Sequence, residues 1–227
     1  MDNRIIPDDY HDYLYRLTYR LLSGVAPYVS KNVSPNQITL AAFLSAMIGN
    51  ILLLTIKTPM AYLYWVIFNF IWFLLDALDG MHARLSNQSS EYGAFLDHSL
   101  DNIYFLFMLT AIVIKFDMTS VLYIYILLLR VTASLMVFTV QCHTNRFYLG
   151  RFTGGLEFLL LNSAMILSFC YPHINPMQWV RSAIGLYCIN VLDLQTGIFM
   201  KLAFLPYFVG VPINIALQFR FVRGMLR

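Results

Sequence analysis

The stretch MAYLYWVIFNFIWFLLDALDGMHARLSNQSSEYGAFLDHSLD, residues 60 to 101, decides how the whole chain is read. An apolar run leads into Asp76 and Asp79, a polar turn follows, and a second apolar run opens on Asp97 and Asp101. A helix from Met60 to Arg84 extends about 37 Å at 1.5 Å per residue, longer than a hydrocarbon core of ~30 Å. Asp76 and Asp79 therefore fall at headgroup depth, near the exit of a membrane span. A spacing of three places them on one face, and a spacing of four does the same for Asp97 and Asp101. The loop Leu85–Glu91 is short, so the two helices are expected to be antiparallel neighbours whose carboxylate pairs converge.

Outward from this stretch the chain stays apolar. Hydrophobic residues make up 59% of the 227 positions and charged ones 12%, against roughly 45–50% and 25% in a soluble domain. The mean hydropathy of +0.64 points the same way. The reading is an all-α polytopic membrane protein with six spans: Ile38–Ile56, Met60–Leu75 continuing as helix to Arg84, Tyr92–Ile114, Val121–Val140, Gly155–Cys170 and Ile198–Phe219. Pro206 and Pro212 are expected to kink the last one. Gln178–Leu194 is apolar but carries Arg181, Asn190 and Asp193, and reads as an extracytoplasmic or partly re-entrant helix.

Residues 8–28 are amphipathic instead. Tyr10, Leu14, Leu17, Leu21 and Val25 recur at helical spacing while Asp9, Asp12, Arg16 and Arg20 take other faces. This suits a helix lying in the membrane interface; the alternative is a helix packed on its own protein. Ser34-Pro35-Asn36 then reads as a capped helix start. Residues 1–33 thus form an N-terminal interfacial segment and 34–227 a six-span membrane domain.

Six spans place both termini on one side, with Arg4, Arg16, Arg20, Lys31, Arg84, Arg146, Arg151, Arg220, Arg223 and Arg227. Lys57, Lys115, Arg181 and Lys201 face them across the bilayer, so the aspartate-bearing side is expected to be cytoplasmic. Asp8, Asp9 and Asp12 ahead of any apolar run argue against a cleavable signal peptide. Cys142, Cys170 and Cys188 lie too far apart for a C-x-x-C pair, so no disulfide framework or zinc site is indicated. A net charge of +3 gives no case for nucleic acid.

Four carboxylates in a low-dielectric cleft repel by several kcal/mol per pair unless protonated or neutralised. Divalent cations remove the difficulty, and an all-oxygen site selects hard ions such as Mg²⁺ or Mn²⁺; two carboxylate pairs suit two ions. Gly80 and Gly93 cost helix stability but allow close approach of backbone and ligand. Ala83 keeps the same face shallow, and Arg84 offers a fork able to grip phosphate. A small-residue cleft with metal and arginine handles phosphate.

Asp76-x2-Asp79-Gly80-x2-Ala83-Arg84-x8-Gly93-x3-Asp97-x3-Asp101 resembles the signature of the CDP-alcohol phosphotransferase family, with every fixed position present. The resemblance extends to the six-span core and to the Ser34-Pro35-Asn36 start, which makes Asn36 a candidate substrate contact. It implies a homodimeric enzyme of phospholipid synthesis that cleaves a CDP-alcohol at its pyrophosphate, releases CMP and joins the phosphoalcohol to a second alcohol. It further implies that Asp76, Asp79 and Asp97 bind metal, while Asp101 serves the second metal or acts as general base.

The text Asn87-Gln88-Ser89-Ser90, Gly93 and Asp97-His98-x2-Asp101 is similar to the choline/ethanolamine branch, where a histidine in this position is assigned as base for the lipid hydroxyl. His98 stands three residues from Asp101, which suits a carboxylate holding the imidazolium. The alternative for His98 is a helix-interface residue. Glu157, in Gly154-Gly155-Leu156-Glu157, resembles a Gly-rich glutamate element of that branch. Arg130 qualifies as an ionisable residue inside a span; both also fit a structural charge pair. His82 and His143 read as interface residues. Eukaryotic members of the branch are longer, and a compact core suits instead transfer of phosphatidyl from CDP-diacylglycerol to glycerol phosphate, serine, inositol or inositol phosphate. The expected activity is transfer of phosphocholine or phosphoethanolamine to a lipid alcohol such as diacylglycerol. A cation transporter is the non-enzyme alternative, but it calls for midplane carboxylates and inverted repeats that the sequence lacks.

Overall fold

A computed structural model of the chain describes residues 13–118, 120–144, 154–172 and 197–225. All regular structure among them is helical: α1 (Tyr13–Leu22), a 3-10 turn (Ala26–Tyr28), α2 (Pro35–Thr55), α3 (Met60–Leu85), α4 (Glu91–Lys115), α5 (Val121–Thr144), α6 (Gly154–Cys170), α7 (Ile198–Ala203) and α8 (Leu205–Met225). The α2, α3, α4 and α5 helices and the combined α7–α8 segment are long and apolar enough to cross a membrane, while α6 has 17 residues. Segment 178–194, together with Arg146, Arg151 and Arg181, lies outside the described residues.

The helix ends have identifiable causes. Ser34 accepts from the Gln37 amide, and the Gln37 side chain accepts from the Ser34 amide, a reciprocal cap with Pro35 in the first turn. Ser90 caps α4 through the Gly93 amide. Helix α3 stops where Asn87 turns left-handed at φ 58° and the Gln88 amide reaches back to the Ala83 carbonyl, a closure that asparagine tolerates better than most residues. The last span is broken rather than gently kinked. Phe204 separates α7 from α8, and Pro206 sits in the first turn of α8, where its missing N–H costs nothing; Pro212 is accommodated inside that helix.

Helix α2 organises the bundle, lying against both α3 and α4. Its inward face is made of small residues, Ala42, Ser45, Ala46 and Gly49, which let the backbones approach as apolar environments favour. A Cβ on Gly49 would come within 2.9 Å of Phe68 Cβ. Nearby, Ser45 Oγ donates to the Phe68 carbonyl at 3.0 Å and Trp65 Nε1 to Asn50 Oδ1 at 2.9 Å. Leu40, Leu44, Ile48, Ile51 and Leu54 occupy the other, exposed face, as a lipid-facing helix requires. Helices α3 and α4 meet through long side chains: Trp72 lies 4.3 Å from the Tyr104 ring, and the Tyr104 hydroxyl donates to Asn69.

At the end of the bundle away from the aspartates, Lys115 Nζ donates to the Ile56 carbonyl at 2.6 Å, tying the close of α4 to the close of α2. Lys201, expected on that side as a topogenic charge, is fully buried. At the opposite end α1 packs on α3. Thr18 and Tyr19 turn inward, whereas Leu17, Leu21 and Val25 of the apolar stripe are exposed.

Candidate functional site

The acidic ends of α3 and α4 converge. Carboxylate oxygens of Asp76, Asp97 and Asp101 all lie within 4.8 Å of one another. Oxygens around an ion at 2.0–2.1 Å stand about 3–4 Å apart, so small side-chain rotations bring this trio to ligand geometry for Mg²⁺ or Mn²⁺. Asp79 stands beside rather than within the trio. It is buried, and its Oδ2 accepts from Thr39 Oγ1 of α2 at 2.5 Å. On the other flank, the Tyr15 hydroxyl of α1 donates to Asp76 Oδ2 at 3.2 Å.

Tyr15 and the four aspartates line a cavity of about 300 Å³. A second recess of about 200 Å³ adjoins it between α2, α3 and α4, and Asp79, Gly80, Arg84 and Asp97 line both. Asn36, Ala83 and Gly93 belong to the smaller recess. Space is tight at one of the two glycines: a Cβ on Gly93 would sit 3.1 Å from both Asn36 Oδ1 and Ser90 Oγ, whereas one on Gly80 would meet the Arg84 guanidinium in ordinary contact at 3.4 Å. Arg84 thus folds back over its own helix toward the acids, with its guanidinium carbon 5.9 Å from the centre of the Tyr19 ring. Burial, with Asp76 nearby, pushes the Tyr19 hydroxyl up to about 12, so it stays protonated.

His98 and Arg130 also face the larger cavity. His98 Nδ1 lies 3.6 Å from Asp97 Oδ2, and its ring packs 5.6 Å from that of Phe138. Arg130 is tied to Glu157, which is 2% exposed and lies behind the cavity wall. Arg130 Nε reaches both Glu157 oxygens at 3.0 and 3.1 Å, and Nη2 donates to Oε2 at 2.6 Å. The Tyr207 hydroxyl adds a bond to Glu157 Oε1 at 2.8 Å, and Arg130 Nη1 donates to Ser134 Oγ at 2.8 Å. The charge pair is present, and Arg130 lines the cavity as well. His82 is an interface residue, its Nε2 2.8 Å from the Val33 carbonyl oxygen.

Several lining residues escaped sequence reasoning. Tyr15 and Tyr19 come from α1, where the spacing of the leucines gave the stronger signal. Ser134, Asn214 and Gln218 come from spans read only for hydropathy; a polar residue inside a span is the signal that would have found them.

Known proteins align with this part of the chain. Residues 32–194, from the Ser34 cap through α6, match the family model described as CDP-alcohol phosphatidyltransferase. An uncharacterised CDP-alcohol phosphatidyltransferase class-I family protein of Schizosaccharomyces pombe is 29% identical over 147 residues, covering 59% of this chain and 36% of that protein. Choline/ethanolaminephosphotransferase 1 of Saccharomyces cerevisiae is 31% identical over 140 residues, covering 57% and 35%. Cholinephosphotransferase 1 of the same yeast is 28% identical over 141 residues, with 57% and 35% covered. The chain therefore spans about a third of the length of these curated relatives. With the family model matching most of its length, and with the acidic trio at the heart of the matched helices, the chain belongs to the CDP-alcohol phosphatidyltransferase family.

Proposed function

We propose that the protein is a metal-dependent membrane phosphotransferase that moves phosphocholine or phosphoethanolamine from a CDP-alcohol to a lipid alcohol such as diacylglycerol, releasing CMP. The observation that carries this reading is the convergence of Asp76, Asp97 and Asp101 within 4.8 Å at the wall of a cavity that Arg84 also lines. Similarity to the two yeast phosphotransferases favours an aminoalcohol over a phosphatidyl donor.

Asp76, Asp97 and Asp101, with Asp79 alongside, would hold one or two Mg²⁺ or Mn²⁺ ions, which when bound neutralise pyrophosphate charge and stabilise the leaving CMP. Arg84 orients the phosphates from the junction of the two recesses. Asn36, Ala83 and Gly93 shape the smaller recess for the nucleotide part of the donor. The acceptor hydroxyl gives its proton to His98 or Asp101 as its oxygen attacks phosphorus, and the bond to the CMP oxygen breaks. His98 lines the same cavity as the acids, which suits the base role. In this reading α6 completes a six-span domain over 34–227, and α1 lies in the interface with its exposed stripe in lipid. The protein works as a homodimer with its site facing the cytoplasm.

The test offers the purified protein CDP-choline or CDP-ethanolamine with diacylglycerol, and separately CDP-diacylglycerol with glycerol phosphate, serine or inositol, each with Mg²⁺ or Mn²⁺. CMP release in the first mixtures is the expected result. Release only in the second set would assign the opposite arrangement, and metal-independent release would remove the role given to the acids.

A further inference from the structure

The family match begins at residue 32, so helix α1 lies ahead of it. Two α1 side chains, Tyr15 and Tyr19, nevertheless line the larger cavity with the aspartates, and the transfer chemistry gives Tyr15 no part. The Tyr15 ring is seated on two sides. It meets Phe73 of α3 edge-on, with ring centres 4.8 Å apart, and lies beside Gly154 at the start of α6, where a Cβ would come within 3.9 Å of its Cε2. Phe73 stands three residues ahead of Asp76 and shares its face of α3. A ring docked there presents its hydroxyl to that carboxylate, and the hydroxyl donates to Asp76 Oδ2 at 3.2 Å. Asp76 is in turn one of the trio whose oxygens lie within 4.8 Å of one another. Like charges so close push one another apart. A donor on one oxygen opposes that push by fixing the plane in which the carboxylate lies. Asp79 is held in the same manner by Thr39 Oγ1, but from α2, inside the matched stretch.

We propose that Tyr15 is a positioning residue for the acidic trio: its hydroxyl sets the Asp76 carboxylate so that it meets Asp97 and Asp101 around a divalent cation. Hydrogen-bond partners of metal-binding side chains orient those side chains and tune their affinity. Here that partner is supplied by a helix outside the matched stretch, so α1 is a working wall of the site as well as a surface helix. The inference rests on the metal-binding reading given above and adds a residue that acts on it through Asp76.

The test reads metal binding without turnover. Full-length protein in detergent micelles, with neither CDP-alcohol nor lipid acceptor added, is titrated with Mn²⁺. Free ion is counted by its electron paramagnetic resonance signal, and Tm is measured on the same samples. Tyr15→Phe keeps the ring against Phe73 and removes only the hydroxyl. Loss of such a partner costs about 10–100-fold in metal affinity, and a bond of 3.2 Å, long for a hydroxyl donor, calls for the low end. The Kd for Mn²⁺ should therefore rise about tenfold in Tyr15→Phe while Tm stays at the parental value. Tyr15→Leu, which removes ring and hydroxyl together, should raise Kd at least as much and lower Tm as well. A tyrosine that only packs α1 onto the bundle gives a different pattern. Parental Mn²⁺ affinity in Tyr15→Phe overturns the proposal, and so does a loss of affinity accompanied by the same fall in Tm as in Tyr15→Leu. Absence of Mn²⁺ binding by the unmutated protein would remove the metal-binding reading itself, so the two failures are told apart.

Discussion

Glu157→Gln isolates the charge network behind the cavity. The substitution keeps the size of the side chain but replaces one oxygen by an NH₂ group. Glu157 accepts from Arg130 Nε and Nη2 and from the Tyr207 hydroxyl, and all of these partners are donors. Whichever way the amide is turned, its nitrogen faces a donor, and the Arg130 charge loses its counter-ion. Glu157 is 2% exposed and the Arg130 side chain 15%, so water screens the loss poorly. Removing one partner of a buried pair costs about 3–5 kcal/mol. For a chain of this size each kcal/mol moves Tm by about 2–4 °C, so the low end alone predicts a fall of roughly 6–12 °C. The assay is thermal unfolding of purified protein in one detergent at a fixed scan rate, followed by tryptophan fluorescence. Glu157→Met combined with Arg130→Met should lose less than either single change, because paired apolar replacement removes both desolvation penalties. A Tm within about 2 °C of the parent for Glu157→Gln would refute the view that this pair is a buried structural unit.

Three further outcomes are expected. Asp97→Asn should lower turnover at least about a hundredfold and weaken Mn²⁺ binding by titration calorimetry while the helical circular dichroism spectrum persists; unaltered Mn²⁺ affinity would remove Asp97 from the ligand set. His98→Gln should reduce turnover by about 10²–10⁴ without changing Mn²⁺ affinity, and near-parental turnover would leave Asp101 as the base. Gly49→Leu should prevent α2 from seating on α3, because even a Cβ meets Phe68 at 2.9 Å, and a monodisperse product with parental Tm would contradict that packing.

The acidic core of the site was legible because charge in a span is costly and helical spacing fixes which carboxylates share a face. Asp76, Asp97 and Asp101 meet as periodicity required, while Asp79 turns aside to Thr39, a contact from another helix that spacing along α3 cannot reveal. The boundaries of α2 were legible in Ser34-Pro35 and its reciprocal cap. The apolar spacing of α1 is split, with Leu17 and Leu21 exposed and Leu14 packed on the core, and Tyr15 reaching Asp76 is a tertiary fact. Arg130 and Glu157 were each flagged as costly charges, and their pairing needed the packing of α5 near α6. Two prolines led to the expectation of a kink in the last span; the helix instead breaks at Phe204, just ahead of Pro206, and Pro212 is tolerated within the second piece.

The position of α2 has a consequence for how the site is held in register. Helices α3 and α4 carry the acids, yet both lean on α2, which contributes no carboxylate of its own. It acts as a splint: the separation of the two acidic helix ends depends on how straight this one helix stays. Lesions that silence the protein should therefore be sought along its small-residue edge, well away from any charged side chain.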